Sequence, residues 1–317
     1  MRRLLVTGGA GFIGRNLIAH LRRSGDPLAI TVLDDESLGD RRALDGLDAA
    51  FVAGDVRDPR ALERVVPGHD AVVHLAAHTR VDGSIADPAH DFEVNALGSF
   101  RLLQACRRHG VRRVIAASTG GAILGEAPVP VQEAMPACPL APYGASKLAM
   151  EGYLSAFGGA YGLSTLALRF SNVYGPGSGH KDSVVARFCR QLLAGAELTI
   201  NGDGSQVRDF LYVADLAEGI RQALLREPTG VLQLGSGRPT RLTELLALLV
   251  EAAGVAPPQV RHAAPRPGEV RATWCDVARA RAALDFQPAT SLRDGLAATW
   301  AWFADAHRAT GAARSAG

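Results

Sequence analysis

The sequence of 317 residues has few cysteines, few lysines and no long apolar run. Its four cysteines, Cys106, Cys138, Cys189 and Cys275, are too few and too widely spaced for a disulfide framework or a CxxC site. We therefore expect reduced thiols and a cytoplasmic protein. Because no apolar run reaches the roughly 18 residues of a membrane span, we expect no membrane segment. A formal net charge of only +2 argues against nucleic acid as the partner.

Histidine, cysteine and acidic residues are not clustered at metal-ligand spacing, so the sequence predicts no metal. His74 lies inside an apolar segment, and we interpret it as a hydrogen-bonded core histidine rather than as a ligand. Among 34 basic residues only Lys147 and Lys181 are lysines. An ammonium group is more compact than the planar guanidinium, so these two positions are candidates for roles that arginine does not fill.

Short apolar segments alternate with helical patterns over the first half of the chain. This alternation predicts a parallel sheet covered by helices on both faces. The predicted strands are 4–7, 30–33, 50–53, 71–75, 114–117 and 166–170, and the predicted helices are 12–23, 60–66, 90–109 and 145–161. We therefore predict an α/β fold with a doubly wound parallel Rossmann sheet and a smaller mixed α/β lobe at the C-terminus.

The regular alternation ends after about residue 171, where glycine and proline turns become frequent. This change suggests a division of the chain into a dinucleotide-binding domain, a second lobe and a tail. The predicted boundaries are 1–171 for the Rossmann domain with returning segments near 205–250, 172–204 and 251–303 for the second lobe, and 304–317 for a flexible tail.

The loop between the first predicted strand and helix has the spacing G-x-x-G-x-x-G at Gly8, Gly11 and Gly14. The first glycine permits a tight turn, the second lets a pyrophosphate approach the backbone, and the third lets the helix pack on the strand. The helix N-terminus at Phe12 and Ile13 offers free N–H groups to the phosphates. This loop therefore predicts a dinucleotide site.

Two acidic residues follow the next two predicted strands. Asp34 ends the second strand, where its carboxylate suits the two ribose hydroxyls and would repel a 2′-phosphate, so the sequence favours NAD over NADP. Asp55 follows the third strand and either contacts the adenine or caps the next helix. The sequence leaves both interpretations of Asp55 open.

A tyrosine and a lysine are spaced for acid–base chemistry. Tyr143 and Lys147 lie one helical turn apart on the same face of a predicted helix. A free phenol, with a pKa near 10, is a poor base at neutral pH, and a neighbouring cation favours the phenolate. The pair therefore predicts a tyrosine base assisted by lysine.

These motifs, together with later segments, resemble the extended short-chain dehydrogenase/reductases, and among them the NAD-dependent epimerase/dehydratase family that acts on nucleotide sugars. The pattern is most similar to that of the UDP-glucose 4-epimerases. The resemblance extends from residue 1 to about 303. The matching segments are 7–14, Leu75–His78, Asn95, Ser118–Thr119, Tyr143 with Lys147, 169–176, 208–210 and 266–269.

The resemblance implies that Tyr143 takes the proton of the sugar 4-hydroxyl while NAD takes the C4 hydride and returns it to the other face of the 4-keto sugar. It further implies that Thr119 or Ser118 orients the sugar hydroxyl, and that arginines clamp the diphosphate. The implied cofactor contacts are Gly8, Gly11, Phe12, Ile13, Gly14, Asp34, Asp55, Val56, Leu75, Ala76, Ala77, Asn95, Tyr143, Lys147 and Phe170. The implied contacts of the second lobe with a UDP-sugar are Asn172, Val185, Phe188, Arg208, Arg266, Glu269 and Thr273. Phe188 either stacks near the uracil or packs in the core.

The sequence departs from the family pattern after the fifth strand. Gly120 occupies the position where many members carry the catalytic hydroxyl, so we favour Thr119 and keep Ser118 as the alternative. Gly121 and Ala122 stand where the 4,6-dehydratases carry an Asp-Glu pair, and without that acid and base elimination has no evident catalyst. Thr273 replaces a larger tyrosine of some epimerases, which predicts room for an N-acetyl group.

The resemblance therefore implies an enzyme, a UDP-hexose 4-epimerase for UDP-glucose and UDP-galactose that holds NAD tightly and also accepts the N-acetylated sugars. A UDP-glucuronate 4-epimerase, an NAD(P)H-dependent 4-keto nucleotide-sugar reductase and a nucleotide sensor are the alternatives. His180 and Lys181 could bind a uronate carboxylate, although a solvated loop is the simpler interpretation. Relatives pair through two helices, here 90–109 and 145–161, so a homodimer is expected.

Overall fold

A computed structural model describes residues 2–264 and 270–315 of the chain. These residues form strands β1 (Arg3–Thr7), β2 (Ala29–Asp34), β3 (Ala49–Ala53), β4 (Ala71–His74), β5 (Arg113–Thr119), β6 (Ser164–Phe170), β7 (Asn172–Tyr174), β8 (Leu198–Asn201), β9 (Val207–Tyr212), β10 (Gly230–Leu234), β11 (Pro239–Arg241) and β12 (Val260–Ala263).

The helices of the described residues are α1 (Phe12–Arg23), α2 (Pro59–Val65), α3 (Val81–Ala86), α4 (Pro88–Phe92), α5 (Ser99–Arg108), α6 (Gly120–Leu124), α7 (Pro142–Tyr161), α8 (Val184–Leu193), α9 (Val213–Arg226), α10 (Leu242–Ala253), α11 (Ala278–Leu284) and α12 (Leu292–Ser315). A 3₁₀ turn spans Arg41–Leu44, and a π-helical turn spans Glu93–Gly98. None of the helices in the described ranges is long and apolar enough to cross a membrane.

Seven parallel strands form the central sheet in the order β10-β6-β5-β4-β1-β2-β3. This arrangement confirms the predicted doubly wound Rossmann fold. The order in which the strands are added reverses between β1 and β4, and ligands of such sheets bind in the crevice outside the carboxyl ends of the strands at this point. The segments that return from the later part of the chain include α9, which packs against α1, and β10, which pairs with β6 from Gly230 to Leu234.

Each face of the sheet buries its own apolar core. Leu4, Val6 and Ile115 face α1 and α9, whereas Leu5 and Val114 face α2, α5 and α7. Successive strand residues point to opposite faces, which is why every second residue belongs to the same core. Helices thereby cover both faces of the sheet.

A smaller lobe lies beyond the carboxyl edge of the sheet. It contains a three-stranded sheet in the order β11-β9-β7, the parallel pair β8–β12, and helices α8, α10 and α12 around a third core. Residues 304–315, assigned to a flexible tail from the sequence, continue α12 as a helix. Their composition explains the difference, because alanine and arginine are among the strongest helix formers.

The helix predicted at 90–109 is divided. Pro88–Phe92 is α-helical, Glu93–Gly98 is a π-helical turn, and the α-helix resumes at Ser99. An apolar pattern cannot reveal this change, because a single π turn inserts only one residue into an otherwise continuous helix. The turn carries Asn95, one of the expected cofactor contacts.

Candidate active site

The glycine loop between β1 and α1 is shaped by close backbone contacts. Gly8 has a φ of +69°, and a Cβ on it would lie 2.5 Å from the nitrogen of Ala76 after β4. A Cβ on Gly14 would lie 2.4 Å from the Cα of Gly9. The Gly11 N–H donates to the Gly8 carbonyl at 3.2 Å. The result is a side-chain-free cradle at the N-terminus of α1, which fits a pyrophosphate.

Asp34 lies at the end of β2 beside this cradle. It is buried, and its carboxylate accepts hydrogen bonds from the backbone N–H of Ala10 at 3.0 Å and of Glu36 at 2.9 Å. Burial raises the pKa of the Asp34 carboxyl, and the two N–H groups only partly oppose this effect. The Ala10 bond ties the carboxylate to the glycine loop, as a ribose contact next to a pyrophosphate requires.

Asp55 is not a helix cap. Asp58 caps α2 by accepting the Arg60 N–H at 2.9 Å. The Asp55 carboxylate instead accepts the Arg57 N–H at 2.7 Å and the Arg57 guanidinium at 2.7 and 2.9 Å. The capping interpretation of Asp55 is therefore wrong, because Pro59 starts the helix and selects the residue directly before it as the cap.

The expected cofactor contacts follow the carboxyl ends of the strands. Leu75, Ala76 and Ala77 continue from β4, Val56 follows β3, and Phe170 ends β6. Val56 and Phe170 are buried. The sheet therefore brings the glycine loop, the acidic residues and these segments to one edge.

Tyr143 and Lys147 lie in the first two turns of α7, at the same edge. The Lys147 ammonium donates to the carbonyl of Ala117 at 3.0 Å and is buried. Burial lowers the pKa of Lys147 to about 8, although Asp91 and Glu151 act in the opposite direction. Burial, followed by the charge of Asp91, raises the pKa of Tyr143 above its usual value. In the protein alone, burial thus opposes ionisation of the phenol.

Asp91 is a buried acidic residue that the sequence analysis did not single out. One carboxylate oxygen accepts from Asn95 Nδ2 at 2.8 Å and lies 3.3 Å from His78 Nδ1. Asn95 Nδ2 also donates to the His78 carbonyl at 2.8 Å. Asp91 Oδ2 and Asn95 Oδ1 are buried without a partner among the described residues. These two oxygens can accept hydrogen bonds from a bound ligand. The D-x-x-x-N spacing, one helical turn, is the signal that could have identified Asp91.

Ser118 and Thr119 point in different directions at the end of β5. Ser118 is buried, and its hydroxyl donates to Glu151 at 2.5 Å. Glu151 is in turn paired with the buried Arg169 at 2.7 Å. The Thr119 side chain does not cap α6 and is partly exposed. Of the two hydroxyls, only that of Thr119 is outside the buried ion-pair network.

Gln233 occupies the space beside Gly120. A Cβ on Gly120 would lie 2.7 Å from Gln233 Oε1, and the Gln233 amide nitrogen donates to the Val131 carbonyl at 2.8 Å. Gln233 is buried, and its oxygen has no partner among the described residues. The space that a side chain at position 120 would need is therefore occupied by the buried carboxamide of Gln233 on the edge strand β10. No local sequence pattern could indicate this contact.

The expected substrate contacts in the described residues lie on different segments of the chain. The Thr273 side chain would lie 3.5 Å from a Cβ on Gly121, which places it against α6. Asn172 Nδ2 donates to the Asp209 carbonyl at 3.1 Å, and Arg208 donates to the Arg271 carbonyl at 3.2 Å. Arg266 and Glu269 lie outside the described residues.

Val185 and Phe188 lie on α8 and are fully buried in the core of the smaller lobe. Phe188 packs there among leucine and phenylalanine side chains, including Leu245 and Phe210. This environment favours the packing interpretation of Phe188 over stacking on a base, because a fully covered ring presents no face to a ligand.

His74 makes two hydrogen bonds inside the core, as expected. Its Nδ1 lies 2.7 Å from Thr7 Oγ1 and its Nε2 lies 2.9 Å from Ser99 Oγ. The Ser99 hydroxyl donates to the Asn95 carbonyl at 2.6 Å, so Nε2 carries the proton. Burial lowers the pKa of His74 to about 3, and the charge of Lys147 adds to this effect. Within 2–264 and 270–315, no three His, Cys, Asp or Glu side chains are grouped to hold a metal.

Comparisons with known proteins agree with this geometry. Residues 4–235 match the model of the NAD dependent epimerase/dehydratase family. The UDP-glucose 4-epimerase of Mycolicibacterium smegmatis is 37% identical to this chain, and the match covers 95% of this chain and 98% of the relative. The dTDP-glucose 4,6-dehydratase of Streptomyces niveus is 33% identical over 96% of this chain and 93% of its own.

Among solved structures, the UDP-glucose 4-epimerase of Thermus thermophilus in complex with NAD is similar with a TM-score of 0.90. It is 39% identical, and the match covers 96% of this chain and 99% of that chain. The glycine cradle and the Asp34 carboxylate beside it fit the same cofactor. The chain therefore belongs to the NAD dependent epimerase/dehydratase family, and it is an enzyme whose cofactor is NAD.

Proposed function

We propose that the protein is a UDP-hexose 4-epimerase that interconverts UDP-glucose and UDP-galactose. The proposal is carried by one observation: Tyr143 and Lys147 stand at the NAD-binding edge of the sheet, beside a turn that offers a hydroxyl but no acid–base pair. The turn is Thr119–Ala122. Such a site can move one proton and one hydride but cannot eliminate water.

Tyr143 is the proposed base for the sugar 4-hydroxyl. Burial disfavours its phenolate, so the reaction requires a positive charge nearby. Lys147, with a pKa of about 8, is protonated at neutral pH. A unit charge about 6 Å away contributes roughly 3 kcal/mol at an effective dielectric constant of 20. When bound, NAD supplies the hydride acceptor and donor for C4 of the sugar.

Other side chains hold these two groups in place. The Lys147 bond to the Ala117 carbonyl fixes the ammonium at the end of β5, and the Tyr143 N–H donates to Ser84 Oγ at 3.1 Å. Thr119 is the proposed second contact of the sugar hydroxyl. With Ser118 bonded to Glu151, Thr119 is the hydroxyl of the pair that is left for the substrate.

The dehydratase relatives make elimination the first competing reaction. That reaction needs an acid and a base to act on the two carbons beyond C4. At the expected positions the chain has Gly121 and Ala122, and the space next to Gly121 is filled by Thr273. Gly121 and Ala122 have no acidic or basic side chain that could release or take up a proton at these carbons, which supports epimerisation over dehydration.

Thr273 also bears on the choice of sugar. Threonine is smaller than the tyrosine of some epimerases, and its side chain faces the α6 turn. We propose that the site also accepts UDP-GlcNAc and UDP-GalNAc. The partners in the second lobe are Asn172 and Arg208, with Arg208 as a donor to the diphosphate.

We further propose that the protein is a homodimer formed through α5 and α7. Phe100 on α5 packs on Tyr153 of α7 with ring centroids 4.9 Å apart, and Arg107 lies over Tyr161 at 4.2 Å. Tyr153 and Tyr161 are 43% and 52% exposed. Large aromatic side chains in this position are suited to a helix-pair interface.

The proposed function is tested without added cofactor. Purified protein is incubated separately with UDP-glucose, UDP-GlcNAc and UDP-glucuronate, and the sugar anomeric protons are followed by NMR. We expect conversion of UDP-glucose to the galacto epimer by a retained NAD, and slower conversion of UDP-GlcNAc.

A reaction with UDP-glucuronate alone would replace the hexose by a uronate as substrate. If none of the three sugars reacts, even after NAD is added, epimerisation is refuted. A 4-keto sugar with NADH then becomes the next substrate, since a reductase would share Tyr143 and Lys147 but would consume its cofactor.

A further inference from the structure

Among the described residues, Lys181 is a partly buried cation without an acidic partner. It lies in the segment between β7 and α8, and its ammonium donates to Thr79 Oγ1 at 2.8 Å. Burial lowers the pKa of Lys181, and within the described ranges no carboxylate offsets this effect. Its neighbour Asp182 lies near two arginines instead, Arg80 at 3.6 Å and Arg190 at 3.9 Å. A cation held away from water is costly unless an anion neutralises it.

The segment that carries Lys181 contacts the first turns of α1 and the residues that follow β4. At the start of this segment, the Pro176 carbonyl accepts a hydrogen bond from Asn16 Nδ2 at 2.9 Å. Asn16 lies on α1, two residues after Gly14. Gly177, with a φ of +90°, passes so close to α1 that a Cβ would lie 3.1 Å from Arg15 Cδ. We call residues 175–182 the strap. Its first contacts are therefore with the first turns of α1.

At its other end the strap contacts the segment that follows β4. Thr79, the partner of Lys181, lies three residues after Ala76, and Ala76 is the residue whose backbone packs on Gly8. The strap thus joins the two sides of the glycine loop, α1 and the end of β4. The strap also carries His180, whose pKa is lowered by burial and by the charges of Lys181 and Arg15. Arg15, His180 and Lys181 thus lie near one another, whereas the acidic residue of the strap, Asp182, lies near Arg80 and Arg190.

We propose that Lys181 belongs to the cofactor site, where its ammonium neutralises the pyrophosphate of NAD from the side opposite the glycine loop. The glycine loop contributes N–H groups and the helix dipole, and Lys181 contributes a full charge from the second lobe. NAD is thereby enclosed between both lobes, and the strap slows its release. The inference depends on NAD binding and not on the identity of the sugar.

The test measures cofactor affinity in the full-length protein. NAD and ADP-ribose, which shares the pyrophosphate but lacks nicotinamide, are titrated into cofactor-stripped Lys181→Met and Lys181→Arg. If Lys181 makes a charge-assisted hydrogen bond to a phosphate, Lys181→Met should weaken the binding of both ligands by about 10- to 100-fold. Lys181→Arg keeps the positive charge and should therefore lose less affinity for both ligands than Lys181→Met. The release rate of NAD on dilution should rise in parallel in Lys181→Met.

Arg23→Met, at the exposed end of α1, is the matched control, because it removes one positive charge without touching the strap. Unchanged NAD and ADP-ribose affinity in Lys181→Met would overturn the proposal. If UDP binding to the NAD-loaded variant weakens instead, Lys181 belongs to the substrate. If the variant no longer turns over one sugar but binds NAD normally, Lys181 likewise belongs to the sugar-binding site. Because binding is measured directly, these outcomes do not depend on whether the epimerase assay succeeds.

Discussion

Neighbouring residues with the same functional group can have different roles when a strand directs them to opposite sides. The sequence offers Ser118 and Thr119 as equivalent hydroxyls, and a strand separates them by its alternation. Ser118 is drawn into the buried pair of Glu151 and Arg169, whereas Thr119 remains at the partly exposed edge. The choice depends on two residues distant in the chain, so the sequence alone left it open.

We expect Thr119→Ala to lower kcat by about 10²-fold, because it removes the proposed contact to the reacting hydroxyl. Thr119→Ser should keep most of the activity. Ser118→Ala should keep kcat within a few-fold and should destabilise the fold by about 1–3 kcal/mol, since it leaves a Glu151 oxygen without its donor. Steady-state kinetics and thermal unfolding of the three variants test this assignment, and a larger kcat loss for Ser118→Ala would reverse it.

His74 gives a prediction for acid stability. Its pKa is about 3 in the folded protein and near 6.5 when unfolded. The unfolded chain therefore binds the extra proton between these values, so the stability from neutral His74 is complete above pH 6.5 and is lost as the pH falls toward 3. The loss is at most about 1.4 kcal/mol per pH unit.

We therefore expect the free energy of unfolding of the native protein to fall more steeply below pH 6.5 than that of His74→Gln, which does not titrate. Urea unfolding at several pH values measures both slopes. Equal slopes would show that His74 is not the group responsible. The difference in free energy of unfolding between the two proteins at pH 7 is a separate quantity, because it reflects the hydrogen bonds of His74 to Thr7 and Ser99.

At the scale of elements, the connection between β1 and α1 depends on the absence of side chains at specific contacts. A methyl group on Gly14 would meet the Gly9 backbone at 2.4 Å, and backbone atoms cannot move aside cheaply. We expect Gly14→Ala to separate the helix from the strand. It should reduce bound NAD at least tenfold and destabilise the protein by about 1–3 kcal/mol.

Gly159→Ala in α7 is the matched control, because nothing lies within 4 Å of the added methyl group. It should stabilise the protein by about 0.5–1 kcal/mol through helix propensity and leave NAD content unchanged. Differential scanning calorimetry and the ultraviolet absorbance of NAD released on denaturation provide the two readouts. A native-like Gly14→Ala would contradict the role of this contact.

At the scale of the whole molecule, the exposed aromatic row on α5 and α7 predicts the oligomeric state. We expect Tyr153→Glu combined with Tyr161→Glu to convert a dimer into monomers, because each added charge would be buried at the proposed interface. Leu225→Glu is the control, since Leu225 is 57% exposed on α9, away from this helix pair. Light scattering coupled to size exclusion distinguishes the outcomes. A native protein that is already monomeric would refute the proposed interface.

The sequence by itself determined the features that depend on neighbours within a few residues. Helix α1 begins and ends where the pattern predicts, and the Gly8–Gly14 loop and the Tyr143–Lys147 pair lie where their spacing indicates, because turns and helix faces follow local backbone geometry. The residue that caps α2 is also decided locally, because Pro59 starts the helix and Asp58, directly before it, becomes the cap in place of Asp55.

Only the tertiary structure decided the contacts between segments distant in the chain. Lys181 meets Thr79 across 102 residues, and Gln233 meets the Gly120 turn from the far edge strand. Neither contact follows from a local sequence pattern. The first joins the strap to the segment after β4, and the second joins the edge strand β10 to the turn after β5 of the same sheet. Lys181 therefore looked like part of a solvated loop in the sequence, whereas the fold holds it beside the dinucleotide site and leaves its charge to be neutralised by a ligand.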